Sequence, residues 1–65
     1  MGFVKKACGY IIRKYDTDHP PLHVHVYRDG RLVARFDLEG QMFMDVDPRH
    51  RRRVMKALRQ CGLAR

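Results

Sequence analysis

Sixty-five residues make one small domain, residues 1–65, that buries only about 60% of the surface its unfolded chain exposes. So thin a core excludes a deep catalytic cleft in a monomer and makes oligomerisation a common remedy. An apolar fraction of 45% excludes a disordered chain, and fourteen Lys and Arg against seven acids, net +7 with histidine neutral, point to an anionic partner such as nucleic acid.

The chain opens with MGFVKKACGYIIRKY, where charges and a tyrosine break any signal-peptide core. No apolar run reaches the roughly 18 residues of a membrane span. Cys8 and Cys61 stand far apart without a CxxC and read as small hydrophobes with reduced thiols, so the expectation is a cytoplasmic protein with no membrane contact. GYIIRKY is a plausible strand, although Ile11 and Ile12 cannot both face one side. Pro20 and Pro21 keep residues 18–21 out of a regular central strand.

LHVHVY alternates, with Leu22, Val24 and Val26 on one face and His23, His25 and Tyr27 on the other. RLVARFDL alternates too. A two-residue Asp29-Gly30 turn would set Val26 against Val33 and Val24 against Arg35, apolar against polar. A three-residue loop, Arg28-Asp29-Gly30, with Gly30 left-handed, instead pairs Val26 with Leu32, Val24 with Ala34 and Leu22 with Phe36. The same logic at Leu38-Glu39-Gly40 pairs Phe36 with Met42, Ala34 with Met44 and Leu32 with Val46, which makes QMFMDV a third strand with its methionines inward.

A helix follows. Asp47 suits an N-cap, Pro48 the first helical position, and Gly62 a C-terminal stop. Val54, Met55, Leu58 and Cys61 form its apolar stripe, with Arg49, Arg52, Lys56 and Arg59 on the opposite side. The fold expected is α+β: an antiparallel meander of three to four strands with one C-terminal helix packed on one face. The sheet's other face then carries His23, His25, Tyr27, Val33, Arg35, Asp37, Phe43 and Asp45, a natural place for a ligand or a second subunit.

His19-Pro20-Pro21-Leu22-His23-Val24-His25-Val26 resembles the His-x-Pro-Pro-His-x-His-Val signature of a family of small bacterial proteins classed as a domain of unknown function. Ile12-Arg13-Lys14-Tyr15, the Glu39-Gly40 turn and the Pro48-led helix match further features of that family, over roughly residues 9–60. The sequence departs at Leu22, where a second Pro is usual, and at the C-terminus, where typical members have a longer helical tail. The family's genes are often grouped with toxin–antitoxin loci, which implies an RNA- or protein-binding role. A fold-level likeness to small toxins that target messenger RNA rests on a strand histidine and a closing helix.

Three of the four histidines fall within seven positions. His23 and His25 point the same way, roughly 7 Å apart along the strand, and His19 could swing in, so the three are weak candidate metal ligands beside Asp37. One of His23 and His25 could act as acid or base on RNA, with Arg35, expected opposite His23, holding a phosphate and Tyr27 stacking on a base. Without chemistry, the same face reads as an aromatic and cationic RNA-binding surface. His50 reads as solvated surface. The leading expectation is a small basic nucleic-acid-binding module in a toxin–antitoxin-like context, using Tyr27, Arg35, Arg52, Lys56 and Arg59. Its partners would be RNA or DNA, a cognate protein, or a second copy, with no cofactor. The alternatives are an RNA-cleaving toxin-like enzyme using His23 or His25, a histidine metal site, and a structural homodimer without a ligand.

Overall fold

The computed structural model describes residues 2–15 and 22–65. Five strands run in chain order, β1 (Phe3–Ala7), β2 (Tyr10–Lys14), β3 (His23–Arg28), β4 (Arg31–Asp37) and β5 (Met42–Val46), followed by one helix, α1 (Arg51–Gln60). Each strand pairs antiparallel with its chain neighbour, giving the order β1-β2-β3-β4-β5. The α+β meander with a single helix is as expected, but it has five strands rather than three to four. The addition is β1. Its sequence, FVKKA, shows no clean alternation, and Cys8-Gly9 between β1 and β2 is a two-residue turn with both φ positive (54° and 79°).

The β3–β4 hairpin differs from expectation in its turn. Asp29 and Gly30, with φ of 52° and 79°, form a two-residue turn between the paired residues Arg28 and Arg31. Gly30 is left-handed as expected; the loop is one residue shorter. A β-bulge then leaves Val33 as an extra residue on β4, so Val26 faces Ala34 and Val24 faces Phe36. The bulge solves the problem that the regular two-residue turn poses. Beyond it, Val24, Val26, Ala34 and Phe36 share the buried face, whereas the pairs Val24–Ala34, Val26–Leu32 and Leu22–Phe36 do not form. Leu32 pairs with Tyr27 and is 48% exposed; Leu22 is exposed and pairs through its carbonyl with the Leu38 N–H (2.9 Å).

A second bulge, at Met44, resets β5, so Phe36 faces Phe43 and Ala34 faces Val46. Met42 and Met44 are therefore exposed instead of inward, and Phe43 packs on the core. The intervening turn is closed by the Gln41 N–H on Asp37 O (2.9 Å), and its left-handed residue is Gln41 (φ 55°), not Gly40. Asp37 Oδ1 accepts the N–H groups of Glu39 and Gly40 at 2.9 and 3.0 Å.

Helix α1 lies on the face made by Tyr10, Ile12, Val24, Val26, Val33, Ala34 and Phe36, burying Val54, Ala57 and Leu58 against it. It starts later than expected. Asp47 and Pro48 belong to a preceding turn, in which the His50 N–H meets Asp47 O and the Arg49 N–H meets Asp47 Oδ1; the N-cap is His50. Arg49 in turn reaches the Asp47 carboxylate with its side chain (3.2 Å). The stop is as expected. Gly62 (φ 74°) closes a Schellman motif, its N–H on Arg59 O and that of Leu63 on Leu58 O. Both cysteines are free thiols, with Cys61 partly buried and Cys8 exposed near Gln60. Among the described residues, no helix is long and apolar enough to cross a membrane.

Candidate nucleic-acid interface

The structure divides the residues singled out from the sequence between two surfaces on opposite sides of the sheet. Parity puts His23, His25, Tyr27 and Arg35 on the open face, away from α1, while Arg52, Lys56 and Arg59 lie exposed on the helix. His19 lies outside the described residues.

On the open face, the rings of β3 and of Tyr15, just past the end of β2, form a continuous cluster. His23 and His25 have centroids 5.0 Å apart, His25 and Tyr27 stack at 6.4 Å, and Tyr15 meets His25 edge-on at 5.1 Å. The Tyr15 and Tyr27 hydroxyls share a 2.9 Å hydrogen bond, and the Arg13 guanidinium lies over the Tyr15 ring at 4.8 Å. Arg13, Tyr15, Tyr27 and Ile11 line a shallow hollow of about 320 Å³. The sequence marks Arg13 and Tyr15 only as part of the Ile-Arg-x-Tyr segment, not as members of this face. Their strand was legible, but their side depends on the pairing of Arg13 with His25.

The remaining expectations for this face need correction. Arg35 stands opposite His25, not His23, and its guanidinium is engaged by Asp45 through Nε–Oδ2 (2.8 Å) and Nη2–Oδ2 contacts. The Asp45 hydrogen bonds, and secondarily its charge, hold Arg35 firmly protonated. The residue opposite His23 is Asp37, whose carboxylate is already tied to the β4–β5 turn. Val33 and Phe43 have left this face for the core. Among the described residues, no group of three His, Cys, Asp or Glu side chains is placed to hold a metal ion.

Helix α1 carries Arg51, Arg52, Arg53, Lys56 and Arg59 and no acid. Three of those cations occupy its first turn, where the helix dipole is positive and each cation costs roughly 0.3–1 kcal/mol. Between α1 and β5 runs an open groove of about 470 Å³, lined by Phe43, Pro48, Arg51, Arg52, Met55 and Arg59. Arg51 sits over the Phe43 ring at 5.4 Å, and Arg59 Nε donates to Arg65 O at 3.2 Å. The groove therefore has an apolar floor and a cationic rim. Sequence periodicity found Arg52 and Arg59; Phe43 and Arg51 join them only because the Met44 bulge turns Phe43 toward the helix.

His50 is not solvated surface. It is half-buried, and its Nδ1 lies 2.7 Å from the hydroxyl of Tyr10, which is itself 1% exposed. A buried hydroxyl without a partner costs about 1–3 kcal/mol, so His50 completes the core at this point.

A family model described as a domain of unknown function, DUF4160, matches residues 9–61. The chain belongs to the DUF4160 family. The match runs from the β1–β2 turn to the end of α1, so the DUF4160 domain takes in four of the five strands, the ring cluster and the basic helix. Neither curated proteins nor solved structures provide a match to the chain.

Proposed function

We propose that this DUF4160 protein is a small nucleic-acid-binding module whose contact surface is the outer side of α1 with the groove beside Phe43. The observation that carries the reading is the helix itself: five cations without an acid, three of them around a groove floored by Phe43 and Met55. A polyanion whose phosphates meet the arginines and whose bases can lie on Phe43 fits such a surface. The unfavourable placement of arginines at the positive end of the helix dipole is what a polyanion site asks for and stability does not. A toxin–antitoxin-like setting is part of this proposal and rests on the likeness of the His-Pro-Pro segment to that family's signature.

The second reading places single-stranded RNA on the open sheet face, favoured by the Arg13–Tyr15–Tyr27–His25–His23 cluster. An RNA-cleaving enzyme using His23 or His25 draws less support, because Arg35, its candidate phosphate holder, is engaged by Asp45.

A salt titration with a single-stranded RNA oligonucleotide and a DNA duplex tests the proposal. Affinity should fall linearly on a log–log plot, and replacing Arg52, Lys56 and Arg59 by Gln should weaken binding to every sequence and flatten the slope by about one unit per lost contact. A salt-independent affinity, or wild-type binding by the triple variant, overturns it.

A further inference from the structure

The β3–β4 turn and the start of α1 flank a further cleft, of about 230 Å³, lined by Arg28, Asp29, Arg31, Val33 and His50. We propose that it is a phosphoryl-binding site in which Arg28, Arg31 and His50 contact the oxygens of a phosphate group. It is distinct from the groove beside Phe43 and shares no residue with it.

The two arginines are cross-strand partners. Like charges directly opposite on a sheet are destabilising. Asp29 offsets them weakly, since it lies 4.0 Å from Arg28 and is almost wholly exposed. The Val33 bulge is what brings Arg31 here. Counting back from Ala34 by strict alternation would put Arg31 on the open face, and the extra residue returns it to the helix side beside Arg28. Bulges commonly re-aim side chains at sites in this way.

Arg28 and His50 are also held in place. The Arg28 guanidinium lies over the Tyr10 ring at 5.2 Å and beside Gly9, where an added Cβ would come within 3.1 Å of Nη1. The His50 ring stands edge-on to the same tyrosine (5.7 Å, 88°) with Nδ1 on its hydroxyl. With Nδ1 engaged by the Tyr10 hydroxyl, Nε2 is the ring nitrogen left for a ligand. Two arginines and one imidazole then line one cleft with an apolar wall at Val33. Such charge-assisted donors suit the oxygens of a phosphate. One buried tyrosine thus positions two of the three contacts.

The test is an NMR titration with inorganic phosphate, followed at the side-chain resonances of Arg28, Arg31 and His50. Saturable shifts at all three are expected. Arg31→Gln, an exposed change that the fold tolerates, should weaken binding about tenfold. Lys6→Gln, on β1, should leave it unchanged. Tyr10→Phe should weaken it less and alter the imidazole ¹⁵N shifts of His50, the signature of lost ring positioning. A nucleoside 5′-monophosphate and a 5′-hydroxyl RNA oligonucleotide then distinguish the source. Displacement of phosphate by the first alone identifies a terminal phosphate, and displacement by both identifies a backbone diester. Silence of the three side chains up to the solubility limit of phosphate overturns the proposal, as does equal weakening by Arg31→Gln and Lys6→Gln, which would indicate diffuse charge attraction only. Because the readout is inorganic phosphate, its failure is separable from failure of nucleic-acid binding at α1.

Discussion

His25 on β3 lies directly opposite Arg35 on β4, yet the Arg35 guanidinium reaches sideways to Asp45 on β5. The Arg35 cation of the open face is therefore already neutralised. Asp45→Asn releases it. Both side chains are substantially exposed, so stability should change little. With binding on α1, RNA affinity should rise only slightly, through the added net charge; a large gain at low salt would move the contact surface to the sheet. Thermal melts and the oligonucleotide titration check the two parts.

Replacing His23 and His25 together by Gln separates the surfaces from the other direction. Both alternate with the buried Val24 and Val26 and point away from α1. The double variant should stay folded and retain nucleic-acid binding. Loss of binding with an unchanged melting temperature would establish the ring cluster as the contact, and a shift toward monomer by analytical ultracentrifugation would establish it as a subunit interface.

The turn before α1 should make stability depend on acid. Hydrogen bonds from the Arg49 side chain, and then from its backbone N–H, hold the Asp47 carboxyl below its usual range. A carboxyl depressed in the folded state contributes fully above its unfolded value of about 3.9, and that contribution is lost as pH falls through the folded value. Asp47→Asn keeps the shape and an acceptor for the Arg49 N–H but removes the charge. Its melting temperature should lie below that of the parent at neutral pH, and the two curves should converge in acid. Parallel curves down to pH 2 would count against the assignment.

Two glycines should respond to alanine for different reasons. Gly30→Ala meets open space but must hold φ near +79°, so the cost is backbone strain of about 1 kcal/mol. Gly40→Ala puts a Cβ 2.8 Å from Asp37 Oδ2 and displaces the carboxylate that holds the β4–β5 turn. A loss of about 1–2 kcal/mol by urea unfolding is expected, and Asp37→Asn should reduce the penalty.

The sequence makes β2 to β5 and α1 legible because two hairpins and one helix carry strong local signals: Asp29-Gly30, alternating apolar runs, a stripe ending at Gly62. It hides the bulges. Val33 and Met44 are apolar, so a pattern argument assigns them a regular place instead of reading them as extra residues, and the inward and outward sets on β4 and β5 come out partly exchanged. It hides β1 because Lys5 and Lys6 are adjacent on an edge strand where neither face is deeply buried. It hides the role of His50 because the partner, Tyr10, lies forty residues away, and only the docking of α1 brings them together. The basic helix face needed only periodicity. Its groove needed the position of Phe43.

In the meander every strand pairs with its chain neighbour, so each of the described strand pairings is local along the chain. Only α1 closes a long loop: it docks on the first two strands, with Lys5 Nζ donating to Cys61 O across 56 positions. Loop-closure entropy makes such a contact slow to form relative to the hairpins. The helix should therefore be the last element to lock during folding and the first to detach, which puts Phe36 and its neighbours at risk of exposure each time it lifts. Native-state hydrogen exchange should show α1 amides opening at lower free energy than those of β3 and β4.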